Sequence, residues 1–574
     1  MADTSLTPRK QSEREEMIVS ETLREFSELQ TYRNVFASHW EEVAELILPT
    51  YRNTFMFGNY NWPGQKKTDR QVDATGMMAL SRFAAICDSL LTPRNSYWHG
   101  LEANDPYVMK DRATRLWFES TAKKLFKYRY AAQGNFSAQN QANYQSLGAF
   151  GNAQMFIDEF DATLSGVKGL RYKAVPMGEL FYRENHQGMV DGFVRWFRLT
   201  ARQAKQKWPE TFPAVLQAAL EANSEQLFDF LHRVVPRTDF EPGRLDIKGK
   251  PYASYYVCMK SQTLLQEGGY RSFPMAVSRY DQSPGEVYGR SPAMMVLPAL
   301  KTLNAEKRTF LKQGHRAADP VLLTNDDGLL SFDLTPGAMN PGGMNPDGKP
   351  LVGVLPTGNI QITEDMMKEE RALINDAFLV TLFQILTETP TMTATEVIER
   401  TNEKGILLAP TIGRQQSEYL DPMIHRELDL LSSQGLLDPM PPRLREAKGA
   451  YDVVYTSPLS KAMKAQEAAG FFRTIEGVKE LMAVSQDQSL LDRFDFNTAI
   501  PAIADIQSVP ESWMADDKQV AAKQKARADA AQRQEMIQAA PAAAAMMKAR
   551  AASGAAAPAQ APAQPGPPLT QSGA

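Results

Sequence analysis

The spacing of apolar residues predicts helices over most of the first 130 residues. Apolar side chains recur near the helical period in 13–47, 74–93 and 113–136. The second segment is expected to stop at Pro93 and the third at Gly134, because neither residue continues a helix well. The chain is therefore expected to begin with a helical block.

Between about 155 and 285 the pattern changes to one typical of strands. Several segments alternate apolar and polar residues and are separated by Gly, Asn and Pro, which favours antiparallel sheet. The predicted strand segments are 153–160, 170–177, 180–185, 190–200, 251–260 and 272–280. A helical insert is expected at 201–232.

Two long helical patterns then bracket an insert. The first, 291–316, contains Pro298, which is expected to kink its first turns. The second, 363–386, has no glycine, and Thr363 with acidic residues after it suits an N-cap. The insert at 320–359 is rich in Gly, Pro and Asn. We expect an antiparallel helical hairpin with the insert at its far tip.

A short loop and a broken helix are expected next. Residues 387–391, TETPT, precede the capping-box pattern Thr393-x-x-Glu396, so a helix should begin at 394. It runs towards Pro410 and resumes beyond it, which predicts a long helix broken near its middle.

The C-terminal part changes in composition. Residues 451–515 are expected to be mainly helical. Beyond 516 the chain is rich in Ala and Gln and then in Ala and Pro, which predicts one helix near 517–538 and no buried core after it.

Composition narrows the class of protein. The chain has 574 residues, of which 43% are hydrophobic and 23% charged, with a net charge of −4. These values predict a soluble globular protein of roughly three to five domains. Cys87 and Cys258 lie far apart, so we expect no disulfide framework and a reducing compartment. No signal peptide and no apolar run of roughly 18–20 residues is found, so neither secretion nor membrane insertion is expected.

Charge is segregated within the hairpin. Residues 291–316 carry five basic residues against Glu306 alone, and Lys301, Arg308 and Lys312 fall on one helical face. The insert is acidic by contrast. An isolated basic stripe is usually only a solvated face, but a ring of such helices would form a belt that acts on phosphate groups without reading bases.

Signatures of catalysis are absent from the sequence. There is no phosphate-binding loop, because Gly58 and Gly64 of the nearest candidate are one residue too far apart. There is also no G-x-S-x-G, and the histidines are too scattered to hold a metal. Adjacent acids such as Asp326-Asp327 are more often solvated turn residues than cation ligands. We expect no enzyme, no cofactor and no metal.

Several segments, taken in order, resemble the portal proteins of tailed bacteriophages, and most closely the head-to-tail connectors of short-tailed phages. They include GEVYGRSPAMMVLPALKTLNAEK at 285–307, TATEVIERTNEKGILLAPTIGRQQSEYLDPMIHR at 393–426, YTSPLSKAMKAQE at 455–467, and residues 135–157. The likeness covers most of 15–515.

The resemblance implies an α+β, mainly helical, portal-type ring subunit. Its parts would be an outer mixed α/β wing, a two-helix stem, a small clip insert, a kinked long helix and a helical crown. The implied boundaries are wing 1–285, first stem helix 286–319, clip 320–359, second stem helix 360–386, tunnel loop 387–393, kinked helix 394–450 and crown 451–515. The tail at 516–574 has no family template and is expected to be largely disordered.

The resemblance also implies a function. Typically twelve subunits would form a ring at one capsid vertex of the virion, assembled in the host cytoplasm, through which double-stranded DNA is packaged and ejected. The implied partners are the large terminase, which hydrolyses ATP, the major capsid and scaffold proteins, and tail or adaptor proteins.

The resemblance assigns residues to three roles. The channel lining would be Lys301, Lys307, Arg308, Lys312 and Arg316; the tunnel loop would include Thr387, Glu388, Thr389, Thr391 and Met392; and the docking clip would include Asp326, Asp327, Asp333, Asp347 and Lys349.

Alternatives remain open at this point. The chain could be a DNA-packaging ATPase or nuclease, or a non-viral oligomeric scaffold. The basic stripe could pair with Glu369 and Glu370, or between subunits, instead of facing DNA. Residues 387–391 could be a plain surface turn.

Overall fold

The computed structural model describes residues 8–55, 64–160, 166–324, 333–356, 360–381, 411–447, 449–456, 470–481, 494–506, 509, 513–515 and 517–553. Its contacts divide the chain into a large unit, Met1–Ser508, and a small unit, Val509–Ala574. The mixed helical and strand content confirms the predicted α+β class, with helices in the majority.

The helices of the large unit, within the described residues, include some that were not predicted, such as Phe136–Phe150. They are α1 (Pro8–Leu46), α2 (Thr75–Leu91), α3 (Pro106–Met109), α4 (Arg112–Arg129), α5 (Phe136–Phe150), α6 (Ala201–Lys207), α7 (Gln217–Glu221), α8 (Pro292–Met295), α9 (Leu297–Ala318), α10 (Ile360–Ala377), α11 (Asp421–Ser433), α12 (Pro442–Glu446), α13 (470–481) and α14 (Phe496–Ile506). In the small unit, α15 spans Asp517–Ser553.

The strand pairs in the described part of the chain are all antiparallel. The strands are β1 (His99–Ala103), β2 (Asn152–Glu159), β3 (Leu170–Ala174), β4 (Leu180–Glu184), β5 (Val190–Thr200), β6 (Leu227–Pro236), β7 (Tyr252–Cys258), β8 (Thr263–Tyr270), β9 (Met275–Arg279), β10 (Leu322–Thr324), β11 (Val352–Val354) and β12 (Tyr451–Tyr455). A five-stranded sheet has the order β4-β5-β6-β7-β8, a three-stranded sheet has the order β3-β2-β9, and β1 pairs with β12 and β10 with β11.

The helical insert predicted at 201–232 is only partly correct. A capping box of Thr200 and Gln203 starts α6, but β6 begins at Leu227 and is the central strand of the five-stranded sheet. β6 is covered on both faces, and its sequence LFDFLHRVVP does not alternate strictly between apolar and polar residues. Without that alternation, periodicity does not identify the segment as a strand.

The core joins the N-terminal helices to the sheets and to the hairpin. One cluster of buried side chains contains Trp40 and Val43 of α1, Phe83 of α2, Leu300 of α9 and Ile374 of α10. A second cluster joins α4, α5, β2 and β3 to α11. The hairpin is therefore rooted in the same apolar core as the N-terminal helices.

The first hairpin helix is interrupted as Pro298 predicts. The break falls at Val296, between α8 and α9, and Pro298 lies in the first turn of α9. Proline has no N–H to donate to the carbonyl of Met294, so a continuous helix would lack that hydrogen bond.

The second hairpin helix differs from its prediction at both ends. It begins at Ile360, so Thr363 is not its N-cap; the Thr363 hydroxyl instead donates to Gln313 Oε1 across the hairpin, at 3.2 Å. It is also interrupted after Ala377, where Leu379 adopts φ +60°; residues 380 and 381 are helical again, and 382–386 lie outside the described residues. Burial of Phe378 and Val380 in the core favours this turn over a continued helix.

The C-terminal predictions need three corrections or additions. Residues 451–515 do not begin as helix, because β12 pairs with β1 there. The long helix near 411 contains a π-helical turn, Gln416–Leu420, before Pro422, whereas its predicted start at 394 lies outside the described residues. Finally, α15 extends to Ser553, past the predicted end at 538 and into the tail that was expected to be largely disordered. Its high alanine content explains that length.

Candidate nucleic-acid interface

The predicted antiparallel hairpin is confirmed. Helices α9 and α10 pack along each other. The segment after α9 and the segment before α10 pair as strands β10 and β11, with Leu322 opposite Val354. Leu303 of α9 and Met367 of α10 are buried in the shared core. The hairpin therefore has a packed apolar side and carries a small strand pair beyond the helices.

The first half of the basic stripe contacts the chain's own body. Lys301 Nζ lies 2.6 Å from Glu42 Oε2 of α1, and both side chains are about half exposed. Arg308 Nη2 donates to the backbone carbonyl of Arg70 at 2.7 Å. These two cations hold α9 against the N-terminal block.

The other basic residues are placed differently. Lys312 and Arg316 are exposed, and neither makes a hydrogen bond or ion pair with a residue in the described part of the chain. Lys307 is half-buried on another side of α9, with its Nζ 5.2 Å from the centre of the Phe310 ring. The structure thus brings Lys301, Arg308, Lys312 and Arg316 to one side and leaves Lys307 away from them.

Within the described ranges, the acidic residues of α10 do not form ion pairs with the basic stripe of α9. Instead, Glu370 faces Glu306, and one carboxylate oxygen of each is buried without a hydrogen-bond partner among the described residues. Burial, followed by the negative charge of Glu370, raises the pKa of the Glu306 carboxyl. The alternative in which the stripe pairs with Glu370 inside one subunit has no support from these contacts.

Val72 and Asp73, just before α2, form hydrogen bonds with both hairpin helices. Asn304 Oδ1 accepts from Val72 N at 2.8 Å, and Arg371 Nη2 donates to Asp73 Oδ2 at 2.8 Å. A Cβ at Gly76 would lie 2.7 Å from Leu300 Cδ2, so glycine permits this close approach. None of these positions is distinctive in sequence, because each matters only through a partner that is distant along the chain.

The Asp73–Arg371 pair predicts a pH-dependent contribution to stability. Burial raises the pKa of Asp73, but hydrogen bonds from Arg371 and Thr75 outweigh burial, and the net pKa is lowered. The stabilisation is therefore present above the ordinary aspartate pKa and is lost as pH falls through the lowered folded-state pKa. We expect Asp73→Asn to lower the free energy of unfolding by about 1–2 kcal/mol at pH 7.

Chemical denaturation at pH 7 and at pH 3 tests this expectation. The difference between Asp73→Asn and the wild type should shrink at the lower pH, because protonation removes the same charge from the wild type. Asp452→Asn, at an exposed acid of β12, is the matched control and should change little at either pH. An equal difference for Asp73→Asn at both pH values would contradict the assignment.

The other predicted site residues are only partly described. Asp333 accepts from Thr335 N at 3.0 Å and from the Thr335 hydroxyl at 2.7 Å, as in a solvated turn. Asp347 and Lys349 are exposed beside a turn closed by Asn345. Asp326, Asp327 and the loop residues Thr387, Glu388, Thr389, Thr391 and Met392 lie outside the described residues.

Two further properties bear on function. Across the described ranges, no group of three or more His, Cys, Asp or Glu side chains is placed to hold a metal ion. Of the helices in those same ranges, none combines the length and apolar character needed to cross a membrane.

Comparison with known proteins agrees with the interpretation based on the hairpin. The family model described as bacteriophage head to tail connecting protein matches residues 19–515. The portal protein of Salmonella phage epsilon15 is 26% identical over 526 residues, which cover 89% of this chain and 91% of that protein. The probable portal protein of Bordetella phage BPP-1 is 25% identical over 527 residues, which cover 88% of this chain and 90% of that one.

Among solved structures, a chain from the virion of a native gene transfer agent particle aligns with 70% of this chain and 85% of its own length. Its sequence identity is 11% and the TM-score is 0.35. The family match alone spans nearly the whole large unit, including the hairpin and both sheets. The chain therefore belongs to the bacteriophage head-to-tail connecting protein family.

Proposed function

We propose that this chain is the portal subunit of a phage virion, and that copies of it form a ring around a DNA channel. The observation that carries the proposal is the hairpin. It leaves a line of large apolar side chains exposed on α10, namely Ile362, Met366 and Leu373, while the opposite side of α10 is buried in the core.

Apolar side chains exposed on one face of α10 indicate that another protein surface covers this face. Ile362, Met366 and Leu373 are separated by four and seven residues and so lie on one face of the helix. Each is at least half exposed. Large apolar side chains exposed along one helix face, here with Glu369 between Met366 and Leu373, are typical of an interface between proteins. A head-to-tail ring would cover this face with the neighbouring subunit, with twelve copies as the family precedent.

The cationic side of α9 supplies the DNA-facing function in this proposal. Lys312 and Arg316 have no described partner in their own chain, so their charges are available to phosphates. Repeated around a ring, they form a belt that attracts the DNA backbone without base contacts, which suits a duplex that must slide. Lys301 and Arg308 mainly position the helix through Glu42 and the Arg70 carbonyl.

The remaining parts follow the same proposal. The insert between β10 and β11, with exposed Asp347 and Lys349, would dock the large terminase and later the tail or adaptor proteins. Residues 387–391 would form the tunnel loop. The ring would sit at one capsid vertex, contact capsid and scaffold proteins during assembly in the host cytoplasm, and act as a structural conduit rather than an enzyme.

The proposal predicts that DNA binding and anchoring of α9 depend on different cations of the basic stripe. Lys312→Gln with Arg316→Gln should leave rings intact in electron micrographs but weaken their binding to double-stranded DNA. The slope of log affinity against log salt should fall by about 0.9 for each phosphate that the protein no longer neutralises. Lys301→Gln with Arg308→Gln should instead lower stability, because those side chains contact the body.

The matched control changes two exposed cations of α6, Arg202→Gln with Lys205→Gln, which remove the same charge away from the hairpin. This control should bind DNA with the wild-type salt slope. A wild-type chain that remains monomeric at micromolar concentration would refute the ring. Normal DNA binding by the Lys312/Arg316 variant would refute the channel-lining assignment.

A further inference from the structure

A deep cleft opens between the two larger sheets, remote in sequence from the hairpin. Its volume is about 740 Å³, and it is lined by β2 and β3 on one side, by β5 to β8 on the other, and by the end of α6. This volume lies within the range of small-molecule binding sites, roughly 300–1,000 Å³. The lining is rich in basic residues: Arg171, Lys173, Arg195, Lys207 and Lys250, against the two acids Asp158 and Glu159.

Lys207 is held in this cleft by aromatic rings. Its Nζ lies 4.0 Å from the centre of the Tyr256 ring, 4.8 Å from that of Trp208 and 5.4 Å from that of Phe197. Among the described residues it makes no ion pair and no hydrogen bond. Cation–π contacts place the ammonium but use none of its hydrogen-bond donors, so those donors stay available to a ligand.

The neighbouring cations differ in how far they are neutralised. Arg195 pairs with Glu179 at 2.8 Å, whereas Lys173, like Lys207, has no described ion-pair partner. Lys207 and Lys173 remain exposed, but the surrounding protein partly desolvates their ammonium groups. This desolvation, followed by repulsion from Arg195, lowers the pKa of both lysines. The cleft therefore has an excess of positive charge, which Glu179, Asp158 and Glu159 neutralise only in part.

His232, at the floor of the cleft, is affected by the same positive charge. The His232 ring stacks on Tyr256 with centroids 4.0 Å apart, and its Nε2 lies 2.9 Å from the Ser254 hydroxyl. Burial, followed by the charges of Lys207 and Arg195, lowers the pKa of His232 well below its ordinary value. His232 is thus neutral and adds a rigid polar surface without adding charge.

We propose that this cleft is a binding site for a phosphate-bearing small molecule, held by Lys173, Arg195 and Lys207. An oxyanion between these groups would accept hydrogen bonds from two ammonium groups and one guanidinium and would neutralise their mutual repulsion. The cleft is larger than a single phosphate needs, and its aromatic and amide lining offers room for an attached organic group. The site shares no residue with the hairpin, so it is independent of the proposed DNA channel.

Isothermal titration of the purified full-length chain with inorganic phosphate and, separately, with adenosine monophosphate tests the proposal. Both titrations are run at constant ionic strength set with chloride. Saturable binding is expected for the wild type. Lys207→Met and Lys173→Met should each weaken it about tenfold, which corresponds to the removal of one charge-assisted hydrogen bond, and the double variant should weaken it about a hundredfold.

Lys205→Gln is the matched control, because Lys205 lies on the same helix and its ammonium donates to the Pro209 carbonyl outside the cleft. Its affinity should equal that of the wild type. Equal affinity for the two probes would identify the oxyanion alone as the recognised group, whereas tighter binding of the nucleotide would show that the aromatic lining also contributes. Absence of saturable binding, or unchanged affinity in the folded double variant, would overturn the proposal.

Discussion

Replacing Glu427 with glutamine is expected to lower the free energy of unfolding by about 3–5 kcal/mol. Glu427 on α11 forms an ion pair with Arg129 on α4, and both side chains are fully buried. Arg129 Nε donates to the two carboxylate oxygens at 3.0 and 3.2 Å, and the Tyr172 hydroxyl donates to Glu427 Oε1 at 2.7 Å. Removing the carboxylate leaves a buried guanidinium without a counter-charge.

The electrostatic situation of Arg129 explains the size of this effect. Burial by itself would lower the pKa of Arg129, but the charge of Glu427 and the hydrogen bonds to it reverse that tendency and raise the pKa. The guanidinium therefore stays charged at every accessible pH. Its Cζ also lies over the Trp98 ring, 4.6 Å from the ring centre, and the side chain is fully buried.

Chemical denaturation of three variants tests the prediction. Glu446→Gln, at an exposed position of α12, should change stability by less than about 0.5 kcal/mol. The double variant Arg129→Met with Glu427→Leu should recover most of the loss, since apolar replacements of a whole buried pair are often neutral. A loss below about 1 kcal/mol for Glu427→Gln would mean that the pair is not buried in solution.

Replacing Gly151 with alanine is expected to lower the free energy of unfolding by about 3 kcal/mol or more. Gly151 ends α5 with φ +73°, a conformation that costs an L-residue about 1–2 kcal/mol. In addition, a Cβ there would lie 2.6 Å from the Gly289 carbonyl oxygen and from the Arg290 carbonyl carbon. Backbone atoms cannot turn aside as a side chain can, so the two segments must separate.

Gly435 provides the matched comparison. It follows the end of α11 with φ +70°, and a Cβ there would meet no described atom within 4 Å. Gly435→Ala should therefore show only the cost of the left-handed conformation, about 1–2 kcal/mol. The difference between the two variants, measured by denaturation, isolates the cost of the close approach. Equal losses would show that the approach of Gly151 to Gly289 is not tight.

The hairpin shows how far local pattern carries a prediction. The periodicity of 291–316 and the position of Pro298 were enough to predict this helix and a kink in its first turns, where the structure shows a break at Val296. The partners of its cations were not predictable. Lys301 and Glu42 are 259 positions apart, and nothing in either neighbourhood indicates that they meet. Sequence spacing reports which side of a helix a residue occupies, but not what faces that side.

The features that the sequence did not predict have related causes. The strand β6 was missed because a strand buried on both faces loses the alternation by which strands are recognised. The interruption of the second hairpin helix after Ala377 was missed because the local pattern continues to favour helix, whereas burial of Phe378 favours a turn. The cleft around Lys207 was also missed, since its cations come from α6, β3 and β5 and converge only when the two sheets pack.

By itself, the sequence determined the α+β class, most of the N-terminal helices and of the strands between 155 and 285, the helical hairpin and its basic stripe, and the resemblance to the connector family. These properties depend on residues close together along the chain, where periodicity and turn chemistry act. Tertiary structure alone decided the pairing of Arg129 with Glu427, the division of the stripe into anchoring and unpaired cations, and the positive cleft between the sheets. Each of these depends on charge and burial shared by residues that are distant in sequence, and such terms are set only when the elements pack together.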